Sequence, residues 1–359
     1  MKKHPFKKLS AFLLTAALAL SVTACGGSNN KTSDTSGSAA SDTEIAAETA
    51  GASKEGKLED FSIVLDWYPN AVHSFIYVAI EKGYYAEEGL EVHVEFPANT
   101  NDAITMTAAG KADAGLYYQP NIISTAVNQN IPIRILGTVV KHPLNIVMSM
   151  KDSNINGAKD LKGKIIGYPG TTDNEYFVKA MMEYNGLSYE DTTMQDVGFD
   201  LNSALISGNV DAIIGGYINH EYPTLLQENY DVTYFDITKE GVPDYEELVL
   251  VTGQTQVENE SDKLARFIRA SKKGFQDMVD DPEGSLQILL NNQDEANYPL
   301  DPDIEKASMD ILLPLMAENS DGFLTVNKDS WQKTAEWLLE MGLLNQAADI
   351  DTLIADISE

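Results

Sequence analysis

The residue types best suited to contact a small molecule cluster in residues 66–73, with the sequence Asp-Trp-Tyr-Pro-Asn-Ala-Val-His. Trp67, Asn70 and His73 supply an indole, an amide and an imidazole, which can stack on a ring or hydrogen-bond to it. The stretch follows the apolar run 61–65 and precedes an apolar helical pattern, and its proline and asparagine are typical of a turn and a helix cap. It is therefore predicted to be a strand-to-helix turn at the carboxyl end of a strand, the edge where open α/β sheets bind ligands.

Each of these side chains also has a purely structural interpretation. Trp67 could belong to a hydrophobic core, and Asp66 could cap the turn through its own carboxylate. His73 lies four residues before Tyr77 on one helical face and could be a buried, hydrogen-bonded histidine. The place of Trp67 inside the turn favours a ligand contact for the indole.

Three further stretches, 116–120, 167–175 and 215–222, also fall at predicted strand ends. All four stretches combine aromatic residues with amides, carboxylates or a histidine, and none contains lysine or arginine. Such a lining suits a flat, neutral or weakly basic heteroaromatic ligand, because rings stack and carboxylates accept charge-assisted bonds from ring amines. The candidate binding residues that these three stretches add are Tyr118, Tyr168, Gly170, Glu175, Tyr217, Asn219 and Glu221.

Two of these candidates also have open alternatives. The sequence Gly-Tyr-Pro-Gly, ending at Gly170, precedes a helix and would leave backbone N–H groups free for an anion or a carbonyl oxygen. Glu175 in the first turn of that helix is favoured by the helix dipole alone. Glu221 follows Asn219 and a histidine in a strand-end loop, where a conformational role is less obvious, so we expect it to be a ligand carboxylate.

Catalytic motifs are missing from the sequence. It contains no cysteine in the folded part, no Gly-x-Ser-x-Gly elbow, no phosphate-binding loop and no His-Glu-x-x-His pair. The histidines are scattered without metal-ligand spacing. We expect a binding protein rather than an enzyme, with neither cofactor nor metal.

The charge balance narrows the class of partner. The chain has 25 basic and 55 acidic residues and a formal net charge of −30. Such an acidic chain is poorly suited to bind nucleic acid. The acidity also argues against capture of an anionic substrate by a large basic field, although one local arginine could still bind such a substrate. Most of the acidity is expected to form a solvated surface, and we expect a monomer.

The first residues are typical of an export signal. Four lysines precede the apolar run 11–22, which is too short to span a bilayer once cleaved. The small residues before Cys25 resemble a bacterial lipobox, which predicts a signal peptide over 1–24, lipidation of Cys25 and a protein anchored to the outer face of the cell membrane. An ordinary signal peptide is the alternative. Residues 25–57 are rich in small polar residues and are expected to form a flexible tether.

From residue 61 onward, short apolar runs alternate with helical stretches, the pattern of βαβ units in an α/β protein. Residues 110–114 and 208–212 repeat a helix end, a turn and a strand that carries aspartate. We predict two α/β lobes, the first from residues 58–143 and 250–359 and the second from 144–249. The chain would cross between them twice and form a two-strand hinge.

Residues 66–73, 81–90, 167–170 and 208–212 together resemble the NMT1/THI5-like family. In bacteria that family consists mostly of periplasmic or lipoprotein-type solute-binding components of ABC transporters. The resemblance covers residues 58–275 and implies a type II periplasmic-binding-protein fold. It also implies a permease and an ATPase as partners and a thiamine-precursor pyrimidine as ligand.

The resemblance assigns roles by position. Trp67 would stack on the pyrimidine, with Asn70 and His73 bordering it. Glu175 and Glu221 would accept hydrogen bonds from the amino group or ring nitrogens. The aromatic walls would be completed by Tyr118, Tyr168 and Tyr217.

The chain departs from the family pattern at two positions. Phe75 replaces a glycine and would fill part of the pocket, and Ile218 replaces a tryptophan and would remove a stacking surface. Other branches bind other heterocycles, riboflavin among them. Fungal members are pyrimidine-synthesising enzymes, but they carry a cysteine-rich iron motif that this chain lacks.

Overall fold

A computed structural model describes residues 57–317 and 319–357. The predicted signal peptide, Cys25 and all of the tether except Lys57 lie outside these residues. The strands form two five-stranded mixed sheets, and helices cover both. We call the parts built on them the first lobe and the second lobe. None of the helices in the described ranges is long and apolar enough to cross a membrane.

The first sheet has the order β2-β1-β3-β10-β4. Strand β1 runs parallel to β2 and β3, and β10 enters antiparallel between β3 and β4. Parallel strands with helical crossovers place their carboxyl ends at one edge. The strands are β1 (Glu59–Val64), β2 (Leu90–Glu95), β3 (Ala114–Tyr117), β4 (Ile133–Val140) and β10 (Leu248–Gly253).

The second sheet repeats this topology with the order β7-β6-β8-β5-β9. Strand β6 runs parallel to β7 and β8, while β5 runs antiparallel to β8 and β9. Strand β9 was not predicted from the sequence. The strands are β5 (Asn145–Met150), β6 (Ile165–Tyr168), β7 (Thr193–Asp196), β8 (Ala212–Tyr217) and β9 (Val232–Asp236).

The aspartates of the sequence repeat occupy equivalent places in the two sheets. Asp113 precedes β3 and accepts a bond of 2.8 Å from the backbone N–H of Ser62 in β1. Asp211 precedes β8 and accepts one of 2.8 Å from the backbone N–H of Ile165 in β6. Each aspartate therefore ties the strand that it precedes to a parallel neighbour in the same sheet, and the structure confirms the repeat.

Helices cover the sheets, and those that follow β10 pack mainly on the first lobe. Helix α1 lies so close to α9 that a Cβ on Gly274 would be 2.2 Å from the carbonyl oxygen of Phe75. The helices are α1 (Ser74–Glu81), α2 (Tyr84–Glu87), α3 (Asp102–Ala108), α4 (Gln119–Gln129), α5 (Thr172–Tyr184), α6 (Leu201–Ile206), α7 (Glu221–Gln227), α8 (Gln254–Asn259), α9 (Ser261–Asp280), α10 (Pro282–Asn291), α11 (Pro302–Met316), α12 (Lys328–Glu340) and α13 (Ile350–Leu353).

The chain passes between the sheets twice, over residues 141–144 and 237–247. Each passage lies close to a predicted hinge crossing. Strand β10 begins at Leu248, two residues before the predicted start of the second part of the first lobe. The exact limits of the lobes remain a prediction: residues 58–143 and 250–359 for the first lobe, and residues 144–249 for the second.

Candidate functional site

Residues 66–73 form the predicted strand-to-helix turn. Asn70 caps a single helical turn, Ala71–His73, by accepting a bond of 3.0 Å from the N–H of Val72 through its side-chain oxygen. Its amide nitrogen donates 3.1 Å to the carbonyl oxygen of Tyr68. The side chain of Asn70 thus bonds to the backbone before and after it, and these bonds fix the conformation of the turn that carries Trp67.

His73 lies behind the turn and is fully buried. Its Nδ1 accepts a bond of 3.1 Å from the backbone N–H of Asn70, and its Nε2 lies 2.9 Å from Oδ1 of Asp66. A backbone N–H can only donate, so Nδ1 carries no proton and Nε2–H donates to the carboxylate. His73 is therefore a neutral imidazole that orients Asp66. The direct ligand contact expected of it is not what the structure shows.

A cavity lies between the two lobes, at the edge where the strands end. It is narrow and encloses about 470 Å³ of space including its mouth. Six of the predicted binding residues line it: Trp67, Asn70, Tyr118, Tyr217, Asn219 and Glu221. The other lining residues are Asp66, Val72, Val140, Leu144, Gly215, His220 and Leu248.

The first-lobe wall of the cavity presents an aromatic ring and a carboxylate. Oδ2 of Asp66 accepts a bond of 3.2 Å from the hydroxyl of Tyr118, and its other oxygen is held by His73. The indole of Trp67 is partly exposed and meets Phe199 of the second lobe edge-on at 4.5 Å between ring centroids. Phe199 supports the indole from outside the cavity lining, and no motif in the sequence indicated it.

The second-lobe wall contains a charged pair, Glu221 and His220, of which only Glu221 was predicted to contact a ligand. Glu221 accepts 2.8 Å from the N–H of Tyr217, and its other oxygen lies 2.9 Å from Nδ1 of His220. Nε2 of His220 lies 3.3 Å from Glu305 of α11. Burial alone would lower the pKa of His220, but the two carboxylates outweigh burial and raise that pKa to about 10. His220 is thus an imidazolium.

Asn219 offers the cavity an acceptor. The residue is 2% exposed, and its amide nitrogen donates 2.9 Å to the hydroxyl of Ser308 in α11. Its amide oxygen has no hydrogen-bond partner among the described residues. Buried oxygens of this kind are strongly driven to accept a bond. A ligand N–H would satisfy it.

Glu247 is a buried carboxylate beside the cavity that sequence reasoning missed. One oxygen accepts 2.9 Å from the hydroxyl of Tyr217, and the other accepts from the hydroxyl of Tyr245 and the N–H of Leu144. Burial raises the pKa of Glu247 to about 7, although these donors favour its charged form. Because Leu144 and Glu247 lie at the two passages between the lobes, this carboxylate fastens the passages together.

Glu247→Gln is expected to flatten the pH dependence of stability. The folded-state pKa of about 7 exceeds the ordinary 4.5. The native protein therefore binds the extra proton between these values, and stability falls as pH rises through the window. The variant has no such group, so its urea-unfolding free energy should fall less from pH 5 to pH 8. Glu340→Gln, at an exposed site, is the control. Identical pH dependence of the unfolding free energy in wild type and Glu247→Gln would contradict the raised pKa of Glu247.

Besides His73, three predicted residues lie outside the cavity lining. Tyr168 donates 3.2 Å to Glu175, and the pair lies on the second lobe away from the cavity. Gly170 has a φ of +79° and lines a separate groove near Phe199. Its left-handed conformation favours glycine, and a Cβ would also stand 2.8 Å from the carboxylate of Asp196. The structure does not support direct contacts by these residues.

The two departures from the family pattern also lie elsewhere. Phe75 is fully buried and packs edge-on against Phe323 at 5.0 Å, in the core of the first lobe. Ile218 is partly buried against the apolar cores and lines an outer groove beside His142. The expectation that Phe75 fills the pocket is wrong, and Ile218 does not face this cavity.

The site therefore combines flat aromatic surfaces with hydrogen-bond acceptors. Rings come from Trp67, Tyr118 and Tyr217, and acceptors from Asp66 and Asn219. The cation among the lining residues, His220, is already matched by two carboxylates. This arrangement can bind a planar ring that carries N–H donors or a positive charge.

Solved structures show which class of fold this is. The alkanesulfonate-binding protein of Xanthomonas axonopodis pv. citri superimposes with a TM-score of 0.65 at 14% identity, over 83% of this chain and 99% of that one. The chain described here therefore has the type II periplasmic-binding-protein fold, as predicted. This is an α/β architecture of two lobes joined at a two-strand hinge. Residues 70–285 match the family described as NMT1/THI5 like. The chain belongs to that family.

Two relatives are similar over most of the chain. A formylaminopyrimidine-binding protein of Halalkalibacterium halodurans is 42% identical over 87% of this chain and 94% of its own length. A putative thiamine biosynthesis protein of Haemophilus influenzae is 30% identical over 83% of this chain and 92% of its own length. More distant relatives include a pyrimidine phosphate synthase of Uromyces fabae at 25% and a riboflavin-binding protein of Chloroflexus aurantiacus at 24%.

Proposed function

We propose that this protein is the substrate-binding component of an ABC importer and captures a thiamine-precursor pyrimidine outside the cell membrane. The ligand would be of the formylaminopyrimidine or hydroxymethylpyrimidine type. The protein would act as a monomer, anchored through lipidated Cys25, and would deliver the ligand to a permease driven by its ATPase. The family, the fold and the name of the relative at 42% identity support this proposal.

The observation that carries the proposal is the pairing of the Trp67 indole with acceptors in one narrow cavity. An aminopyrimidine has a flat face for the indole and an exocyclic amino group with two N–H donors. Those donors match the carboxylate of Asp66 and the unpartnered oxygen of Asn219. Glu221 adds negative charge beside them and would favour a protonated ring nitrogen.

Lobe closure is the proposed mechanism of capture. Trp67 and Asn70 approach the cavity from the first lobe, while Tyr217 and Asn219 approach it from the second. A ligand that contacts both walls stabilises the closed arrangement over an open one. Because the cavity is so narrow, a heterocycle would enter with the lobes apart.

Other functions are less well supported. Riboflavin is less well supported as the ligand, because the riboflavin-binding relative is 24% identical to this chain and the formylaminopyrimidine-binding relative 42%. Pyrimidine synthesis in the fungal manner is disfavoured, because the chain's single cysteine stands at the predicted lipidation site. We therefore propose binding and transport without catalysis.

A thermal-shift screen of the purified protein tests the proposed ligand. The panel comprises formylaminopyrimidine, hydroxymethylpyrimidine, thiamine, riboflavin and an unrelated sugar. A ligand at 100 times its dissociation constant should add about 2.7 kcal/mol to the unfolding free energy. We expect the two pyrimidines to give the largest shifts. Stabilisation by riboflavin alone would support the alternative ligand, and no shift with any heterocycle would contradict the proposal.

Cys25→Ser tests the anchor separately. In a bacterial host, the wild-type protein is expected in the membrane fraction and the variant outside it, because a serine cannot carry the thioether-linked lipid. Immunoblots of fractionated cells give the measurement. A wild-type protein that is already free of the membrane would indicate the ordinary signal peptide.

A further inference from the structure

One face of α11 reaches across the lobe boundary to the cavity. Glu305 and Ser308 are three residues apart and so lie on the same side of the helix. They are 1% and 0% exposed. Helix α11 packs on the first lobe through apolar residues that include Leu312 and Met316. Both polar side chains point to the segment 219–221 of the second lobe, which lines the cavity.

Glu305 joins the two walls of the cavity. One of its oxygens accepts 2.6 Å from the backbone N–H of Ala71, in the turn that carries Trp67. The other lies 3.3 Å from Nε2 of His220 in the second lobe. A buried carboxylate needs such partners, because an unpaired buried charge is costly. Separation of the lobes would remove the His220 partner.

Ser308 fixes the side chain of Asn219. Its hydroxyl oxygen accepts 2.9 Å from the amide nitrogen of Asn219, again across the lobe boundary. With the nitrogen held in this way, the amide oxygen of this cavity-lining residue is the end that has no partner among the described residues. Ser308 thus determines which end of the amide faces a ligand.

We propose that Glu305 and Ser308 form a latch that holds the lobes closed and sets His220 and Asn219 in their ligand-binding orientation. The latch lies outside residues 70–285, the part that matches the family. The proposal of a latch rests on the proposed function and deepens it, because a latch matters for a protein that closes over a ligand. Both residues are positioning residues, because they act through their second-lobe partners.

The latch gives closure a pH dependence. The charged groups that face His220 are Glu221 on α7 and Glu305 on α11, and Asp66 lines the same cavity. With both glutamates in place, the pKa of His220 is about 10. An open form without Glu305 would have a lower pKa for His220. At pH values between the His220 pKa of the open form and that of the closed form, the closed form then binds more protons. Ligand affinity should therefore fall as pH rises toward 10.

The test compares Glu305→Gln and Ser308→Ala with the control Asp303→Asn, an exposed site on the same helix. The amide that replaces the Glu305 carboxylate retains an oxygen for the N–H of Ala71, which favours correct folding. Small-angle X-ray scattering without ligand should give a larger radius of gyration for both latch variants. Stopped-flow release of the best heterocycle from the screen should be about tenfold faster in Glu305→Gln. Its affinity should also vary less between pH 7 and pH 10 than that of wild type.

Each outcome decides the proposal. The latch is supported if the latch variants have a larger radius of gyration and faster ligand release while the Asp303→Asn protein is unchanged. Unchanged dimensions and release rates in both variants would overturn it, while binding by the wild type would leave the proposed function intact. If the wild type binds no heterocycle, the proposed function fails, and the scattering comparison alone decides whether α11 holds the lobes closed.

Discussion

Trp67→Ala is expected to weaken pyrimidine binding by about a hundredfold. Truncation of a central aromatic anchor in an interface costs about 2–4 kcal/mol, and each 1.4 kcal/mol corresponds to a tenfold change. Trp67 is the largest lining side chain and lies opposite second-lobe residues, so its loss removes a stacking face and opens the cavity. Calorimetric titration of wild type and variant with formylaminopyrimidine measures the change in dissociation constant.

Tyr184→Ala is the matched control for this experiment. Tyr184 is 69% exposed on α5 and does not line the cavity, so its replacement should leave the dissociation constant unchanged. Equal affinity of Trp67→Ala and wild type would show that the indole has a packing role only.

Phe75→Ala is expected to destabilise the fold by about 3–5 kcal/mol while leaving ligand affinity unchanged. Replacing a fully buried phenylalanine by alanine removes its transfer free energy and leaves a cavity. Phe75 is 0% exposed and packs against Phe323, where α1 lies close to α9 at Gly274. Urea unfolding gives the stability change, and titration gives the affinity.

Ile80→Ala, a more exposed position on the same helix, should cost much less stability than Phe75→Ala. If Phe75→Ala instead raised affinity for bulkier heterocycles with little loss of stability, Phe75 would fill part of the ligand site, and the cavity described here would be the wrong one.

The first-lobe half of the site could be predicted from the sequence because local patterns determine it. The apolar run before Asp66 and the turn residues after it indicate a strand end and a helix start. Once the strands are parallel, their carboxyl ends meet, and Trp67 and Tyr118 converge without any further information. Tyr217 and Asn219 follow by the same rule in the second lobe.

The residues that complete the site arrive from distant parts of the chain. Glu305 contacts Ala71 across 234 residues of sequence. A glutamate in an amphipathic helix is ordinarily expected on the exposed side, and only the tertiary structure reveals that α11 turns it inward. Glu247 stands in an acidic stretch before β10, where nothing local distinguishes a buried carboxylate from a solvated one.

The failure at residues 167–175 is a matter of helical phase. Helix α5 begins at Thr172, so that Glu175 lies in its first turn as predicted. This start turns Asp173 and Asn174 inward, where they bond to Asn121 and Asn145 at 3.0 and 2.9 Å. Glu175 is then rotated by about 100° from Asn174 and meets Tyr168 instead of the cavity. The local sequence indicates the helix start, but only the tertiary contacts show which side chain of the first turn faces inward.

The most direct test of the central claim is a calorimetric titration of the purified wild-type protein with formylaminopyrimidine, with thiamine and riboflavin titrated in parallel. We predict saturable one-to-one binding of the pyrimidine, with a negative heat-capacity change from burial of its ring between the lobes. Riboflavin should give much weaker binding or none. Absence of saturable heat with the pyrimidine, at concentrations where another solute binds, would contradict the account.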